Sequence, residues 1–243
     1  ISLNTWGGRA GKENLLDFFR KHKDVDIFCL QEIWEGGEDE AHKWGEGIDT
    51  RMLTSIGNVL KDHTILFKAH YHDWYGLAMF VKKDITVIEE GDVFVHKDKG
   101  WVSEEFAANH ARNLQYVTVE TKDGPRTILN FHGLWNGGPK EDTEERITQS
   151  DRIAEFLKKI THHHVLTGDF NLLPETKRLK ILEDLGMRNL IGEFKITSTR
   201  SSHYKKPVRF ADYTLVSKDI KVNEFEVLPD EVSDHLAMYI DFE

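Results

Sequence analysis

The stretch HVLTGDFN, residues 164–171, carries a strand-forming run, Val165 to Thr167, straight into Gly168, Asp169, Phe170 and Asn171. β-Branched and apolar residues that stop on an acid and an amide beside a glycine have the form of a buried strand ending at a sheet edge. A strand-end Asn or Asp is more often a turn former than a ligand, so this end alone decides little. The form recurs, however. Ile1 to Leu3 runs into Asn4, Ile27 to Leu30 into Gln31 and Glu32, and Ile128 to Phe131 into His132. Two further runs begin on polar residues: Asp212 precedes Tyr213–Ser217, and Ser233, Asp234 and His235 precede Leu236–Phe242. If these last two strands run antiparallel to the first four, all six polar ends meet at one edge.

Working outward, the other strand-like runs are Ile65–His70, Gly76–Val81, Asn113–Thr121 and Glu224–Leu228. A helix is expected over Thr143–Ile160, where Ile147, Ile153, Leu157 and Ile160 recur at helical spacing behind Asp142 and Glu145, a cap pair. Lys12–Lys21 and Thr176–Leu185 fit two more, the latter stopped by Gly186 in a left-handed cap. Many strands with interspersed helices are buried best as two packed sheets with helices outside. Neither repeats nor Pro/Gly/Ser-rich linkers divide the 243 residues, so one domain over 1–243 is expected.

With 39% hydrophobic and 30% charged residues the chain has the apolar mass for a core. No apolar run approaches the ~18 residues of a membrane span, and no charged-then-apolar leader opens the sequence, which leads one to expect a soluble protein. The lone Cys29 excludes an internal disulfide and a Cys-based zinc knuckle, a pattern of reducing compartments that favours the cytoplasm weakly. A net charge of −10 argues against sequence-blind adhesion to nucleic acid, so a polyanionic substrate must be met by a local feature.

Carboxylates gathered at one edge raise one another's pKa unless a cation lies between them. Glu32, Asp169, Asp212 and Asp234 with Asn4 and Asn171 form an all-oxygen set suited to Mg²⁺ or Mn²⁺ rather than zinc. His132 and His235 then fall beside carboxylates that would orient them and make them more cationic, fit to stabilise a phosphoryl oxygen or donate a proton. Asp212 is the partner expected for His235. Asp169, with Gly168 allowing close backbone approach, is placed to orient or deprotonate an attacking water.

Taken together, SLNTW with Asn4, LQE at 30–32, FHGLW with His132, TGDFN at 167–171, FADY with Asp212 and SDH at 233–235 resemble the ordered motifs of the endonuclease/exonuclease/phosphatase superfamily. The resemblance spans nearly the whole chain. It implies an α/β four-layered sandwich of two mixed β-sheets flanked by helices, deoxyribonuclease-I-like, and divalent-metal hydrolysis of phosphoesters. It implies also that Asn4 and Glu32 hold the metal with Asp234 nearby, that Asp169 and Asn171 position water and phosphate, and that His132 and the His235–Asp212 pair contact the scissile phosphate. The sequence departs from some branches: His132 stands where apurinic endonucleases usually show Tyr, Leu134 where sphingomyelinase-like members show Gln, and Arg209 to Asp212 lack the inositol-phosphatase Asp-Arg pair.

For the substrate, Lys195, Arg200, Lys205, Lys206 and Arg209 form an acid-free basic stretch before Asp212, with Arg112 a weaker candidate. Trp6, Trp34 and Trp135 lie beside motif residues as base-stacking platforms or as buried supports. The His162–His164 triplet, on alternating faces of a strand, is a poor metal site. The expectation is a metal-dependent phosphodiesterase acting through metal-activated water on nucleic acid or a nucleotide-like ester. The alternatives are a phosphatase or phospholipase-type hydrolase and, less well supported by intact motifs, a non-catalytic binding module.

Overall fold

The computed structural model describes residues 1–243. Twelve strands form two six-stranded sheets. The first contains β1 (Ser2–Asn4), β2 (Ile27–Trp34), β3 (His63–Tyr71), β4 (Tyr75–Lys82), β11 (Val222–Val227) and β12 (Met238–Phe242), in the order β11-β12-β1-β2-β4-β3. The second contains β5 (Val87–His96), β6 (Arg112–Val119), β7 (Arg126–His132), β8 (His164–Asp169), β9 (Arg188–Asn189) and β10 (Asp212–Val216), in the order β5-β6-β7-β8-β10-β9. The helices are α1 (Lys12–Lys21), α2 (Glu38–Trp44), α3 (Met52–Val59), α4 (Glu144–Leu157), α5 (Lys177–Asp184) and α6 (Leu190–Glu193).

Burial explains the layering. Leu15, Phe18 and Phe19 of α1 and Ile56 of α3 pack on Leu3, Phe28 and Leu30 of the first sheet. Ile153 and Leu157 of α4 and Leu179 and Leu182 of α5 pack on Leu129, Phe131 and Leu166 of the second. Between the sheets lie Cys29, Met79, Val117, Val119 and Ile128. Burial pushes the Cys29 thiol up to about 12, which leaves it an inert core side chain. The sheets are also joined by amides: Gln31 Nε2 donates to Asn130 Oδ1 at 2.7 Å, and Asn130 Nδ2 donates to Leu30 O and to Gln115 Oε1. Buried bonds that cross between the sheets in this way favour one alignment of the two, although Gln31 Oε1 itself is left without a partner.

The topology supplies the edge the sequence suggested. β1 and β2 are parallel, as are β7 and β8, while β10 opposes β8 and β12 opposes β1. Four strands therefore end, and two begin, on the same side.

Local expectations are corrected in places. Thr143, not the Asp142–Glu145 pair, caps α4, its side chain accepting the Arg146 N–H; Asp142 instead receives the Lys177 N–H at the start of α5 and pairs with Arg178 at 2.7 Å. Ile147 lies on the solvent side of α4, 37% exposed, because Leu134 and the neighbouring loop are held from the other face by Arg146 and Gln149. β5, β9 and the short helices α2, α3 and α6 had no counterpart in the sequence reading. Gly186 does take a left-handed φ of +88° beyond α5.

Candidate active site

At the shared edge, strand register alone brings three polar side chains together: Asp169 pairs with Asp212 on β10 and with His132 on β7. The first sheet adds the rest. Asn4 Nδ2 donates to Glu32 Oε1 at 3.1 Å and to Asp169 Oδ2 at 3.0 Å, bridging the sheets, and Ser233 Oγ donates to Asn4 O at 2.7 Å to seat the segment with Asp234 and His235.

The backbone is bent to make this meeting. A bulge in β2 between Leu30 and Ile33 puts Glu32 at φ +58°. Asn171 stands at φ +52°, where its N–H returns to Asp169 Oδ1 at 2.8 Å and fixes that carboxylate. Non-glycine residues in this region cost roughly 1–3 kcal/mol each, tolerated where the surroundings over-determine them. Gly168, at φ +142°, answers a further constraint: a Cβ there would lie 2.0 Å from Phe131 O.

Each ionisable group takes its state from its neighbours. Burial alone would raise the Asp169 carboxyl, but the charges of His235, Lys140 and Arg200 outweigh it and hold Asp169 well below the usual range. Burial, then the charge of Asp234, raises Glu32, which the Asn4 bond only partly offsets. His235 Nδ1 lies 2.8 and 2.9 Å from the two Asp212 oxygens, while Arg200 Nη1 donates to His235 Nε2, so the ring proton sits on Nδ1 facing Asp212. Burial and Arg200 oppose a second proton on His235; Asp212, Asp234 and Asp169 favour it more strongly and raise its pKa.

His132 differs from expectation. Arg112 Nη1 donates to its Nδ1 at 3.2 Å, which leaves the proton on Nε2, the atom facing Asp169 at 3.7 Å and Glu32 at 4.0 Å. Burial, then Arg112, pushes its pKa well below the ordinary value, so His132 is a neutral hydrogen-bond donor rather than a cation. Arg112, read as a weak substrate contact, is a 2% exposed support for this imidazole on the cleft wall.

Two groupings could hold a cation. Ligand atoms of Asp169, Asp212 and His235 lie within 4.8 Å of one another, yet the His235–Asp212 hydrogen bond already occupies two of them. Glu32 and Asp234 fit better: Asp234 Oδ1 is buried without any hydrogen-bond partner, and the two carboxylates raise rather than relieve the local charge. An orphaned oxygen beside a second acid is what a hard divalent ion satisfies. Asn4, expected as a ligand, turns its N–H₂ to the carboxylates and its oxygen to the Trp6 N–H at 2.9 Å; in this geometry it orients Glu32 instead.

The basic stretch divides. Arg200 enters the site, donating to Asp234 Oδ2 at 3.0 Å. Lys206 reaches the rim of a cleft of about 520 Å³ whose floor holds Glu32, Asp169 and His235. Lys205 is turned to Ser202 O and exposed, and Arg209 is exposed with its carbonyl, not its side chain, engaged, by Thr199 N. Trp6 and Trp135 line the cleft, whereas Trp34, stacked on Trp74, is core. The sequence reading missed Lys140, Arg9, Phe106 and Tyr204, all on the cleft walls; a lysine ending the turn GGPK just after the FHGLW motif was the available signal for the first.

Paired acids wanting a cation, an imidazole held by a carboxylate and cations directed into a cleft suit one chemistry, and on this fold they define the class as metal-dependent phosphoesterases. The model of the Endonuclease/Exonuclease/phosphatase family matches residues 1–235, and the chain belongs to that family. Among solved structures, mannosyl-6-phosphatase Bt3783 of Bacteroides thetaiotaomicron VPI-5482 is similar at a TM-score of 0.73 and 19% identity, over 98% of this chain and 91% of that one. Humanized D. rerio TDP2 superimposes with a TM-score of 0.68 at 14% identity over 100% and 97% of the two chains. The human Nocturnin catalytic domain, with bound sulfate, does so at 0.61 and 16% over 99% and 91%. At these identities the likeness is one of fold. No curated protein matches the sequence, and no helix is long and apolar enough to cross a membrane.

Proposed function

We propose that the protein hydrolyses a nucleotide-like or comparably small phosphoester, with Mg²⁺ or Mn²⁺ held by Glu32 and Asp234. The observation that carries this reading is where positive charge lies: in a molecule of net −10, Arg9, Lys43, Lys140, Arg200 and Lys206 all line the one cleft that holds the acids and histidines. A cleft of about 520 Å³ is the size of a small-molecule site. Trp6, Phe106, Trp135 and Tyr204 offer it faces for a base or sugar ring.

When bound, the cation would polarise the phosphoryl oxygen and neutralise charge gathered there. The chain's own groups do the rest. Asp169, held ionised and aimed by Asn171 and Asn4, accepts the hydrogen bond of an attacking water and orients it. His132 offers Nε2–H to a phosphoryl oxygen. His235, once Arg200 leaves Nε2 for the substrate anion, is free to take a proton there with Asp212 steadying the imidazolium.

The test is a screen of the purified protein, with Mg²⁺ or Mn²⁺ and with chelator, against nucleotides, dinucleotides, sugar phosphates, oligonucleotides and phospholipids. Metal-dependent release from the small esters, lost in His235→Ala, is expected. The similarity to a mannosyl-6-phosphatase makes sugar phosphates the second class to try. A folded protein inert towards every class with either metal would overturn the reading.

A further inference from the structure

Lys140 is 9% exposed, and its Nζ is buried without a hydrogen-bond partner. An ammonium carries three donors and is among the groups least often buried unpaired, since removal from water is costly, and no protein group here accepts from it. A lysine on a surface loop escapes this cost by swinging outward. Lys140 does not: its side chain is buried, on a loop whose backbone is clamped. Arg146, itself 1% exposed, donates through Nη1 to the carbonyls on both sides, Pro139 O at 2.6 Å and Glu141 O at 2.7 Å, and through Nε to Leu134 O. Arg178 also reaches Glu141 O, and the Leu173 N–H binds the carbonyl of Lys140 itself at 3.1 Å. Two buried guanidiniums thus fix the backbone that carries the ammonium, and Lys140 lines the cleft together with Asp169, Asn171 and Arg200.

We infer that Lys140 is an anion anchor of this site, its Nζ donating to a non-bridging oxygen of the substrate's phosphoryl group. The inference rests on the phosphoester reading above and adds a binding residue that the motif residues do not include. The three unpaired N–H donors match the acceptor-rich face of a phosphate, and the fixed loop means that little ordering is required when the anion arrives. Burial lowers the pKa of Lys140 to about 8, with Asp169 the foremost charge opposing the fall, so the ammonium is still the major form at pH 7.

Orthophosphate and orthovanadate are the probes, titrated calorimetrically and by thermal shift into wild type and into Lys140→Met, Lys140→Gln and Lys140→Arg. Because it relieves an unpaired buried charge, Lys140→Met should melt higher than wild type without ligand, by about 2–4 °C, and bind orthophosphate at least ~10-fold more weakly, the loss of one charge-assisted contact. Lys140→Arg should retain most of the affinity, because it keeps the charge and the N–H donors, and most of the turnover, which a role in giving up a proton would not allow. If wild type hydrolyses phosphoesters while Lys140→Met and Lys140→Gln bind orthophosphate within about twofold of it, the anchor is wrong and the hydrolase stands; a wild type that binds no orthophosphate refutes the anchor as well. Phosphate binding that depends on Lys140 in a protein without hydrolysis would leave the anchor and remove the hydrolase.

Discussion

Asp212 touches no cleft and yet controls one, because its two oxygens at 2.8 and 2.9 Å decide which nitrogen of His235 carries the proton. An Asn in its place can present an N–H₂ to Nδ1 and drive the proton to Nε2, against Arg200. Asp212→Asn should therefore leave Mg²⁺ or Mn²⁺ affinity within a few-fold of wild type and lower turnover on the order of 10²–10⁴. His235→Ala should cost as much, and the double variant hardly more, since residues acting as one unit are lost together. Double-variant kinetics showing the full sum of both penalties would mean that the two work separately. Residues of this kind were legible in the sequence because an apolar strand ending on an acid or imidazole breaks its own pattern. For Lys140 the turn GGPK was the only signal: its burial was not legible, because the shape of its aperiodic loop depends on contacts made by Arg146 in the following helix and by the more distant Arg178. Nor does composition tell Arg200, which enters the site, from Lys205, which turns away; and the Arg112 contact that keeps His132 neutral crosses from one strand to the next.

Elements meet at the site with little room between them. Gly168, next to last in β8, passes the carbonyl of Phe131 on β7 at φ +142° and with 2.0 Å to a would-be Cβ. Backbone on both sides cannot yield, so Gly168→Ala should destabilise the fold by about 2–4 kcal/mol in urea unfolding and displace Asp169 from its partners. Stability within ~0.5 kcal/mol of wild type would show the crossing to be slack. The Arg200–Arg209 loop invites a contrast instead. Lys206 lines the cleft and Lys205 does not, so Lys206→Ala should raise KM several-fold with kcat little changed and flatten the salt dependence, while Lys205→Ala should do neither; equal effects would return both to solvent. Long elements were foreseeable from period, and the antiparallel entry of β10 and β12 from the polar residues at their starts. β5 was not. Its Glu89, Glu90 and Asp92 mask the alternation of a strand at the sheet edge, where charged outward positions guard against pairing with another chain.

At the scale of the whole molecule, a set of buried imidazoles surrounds one buried guanidinium. Arg112 Nη1 reaches His132 Nδ1 and lies 3.5 Å from His70 Nε2, and His110 stacks on His70 with ring centroids 5.2 Å apart. Burial, then Arg112, lowers His70 to about 3 and His110 well below its usual value; burial lowers His96 to about 4. Unfolded, all three would take a proton near pH 6.5. A base whose folded pKa is depressed contributes stability that is complete above its unfolded pKa and is lost as pH falls towards the folded one. Each ring should therefore steepen the decline below pH 6.5 by up to about 1.4 kcal/mol per pH unit, and the three together by about 4. Asp169 does not offset this, because the stability from its lowered pKa is lost only below the normal carboxylate range, whereas Glu32, whose pKa is raised, is protonated first in the folded state and offsets part of the decline just above that range. Urea midpoints at pH 7.5, 6.5, 5.5 and 4.5 measure the slope. His110→Phe keeps the aromatic contacts, removes a ring whose Nε2 has no partner, and should shrink the pH 7.5-to-4.5 difference by about one proton's worth. A profile flat from pH 7.5 to 5 would show that these imidazoles are solvated enough to titrate in place, and with them would go the argument that Arg112 keeps His132 neutral and its Nε2–H turned into the cleft.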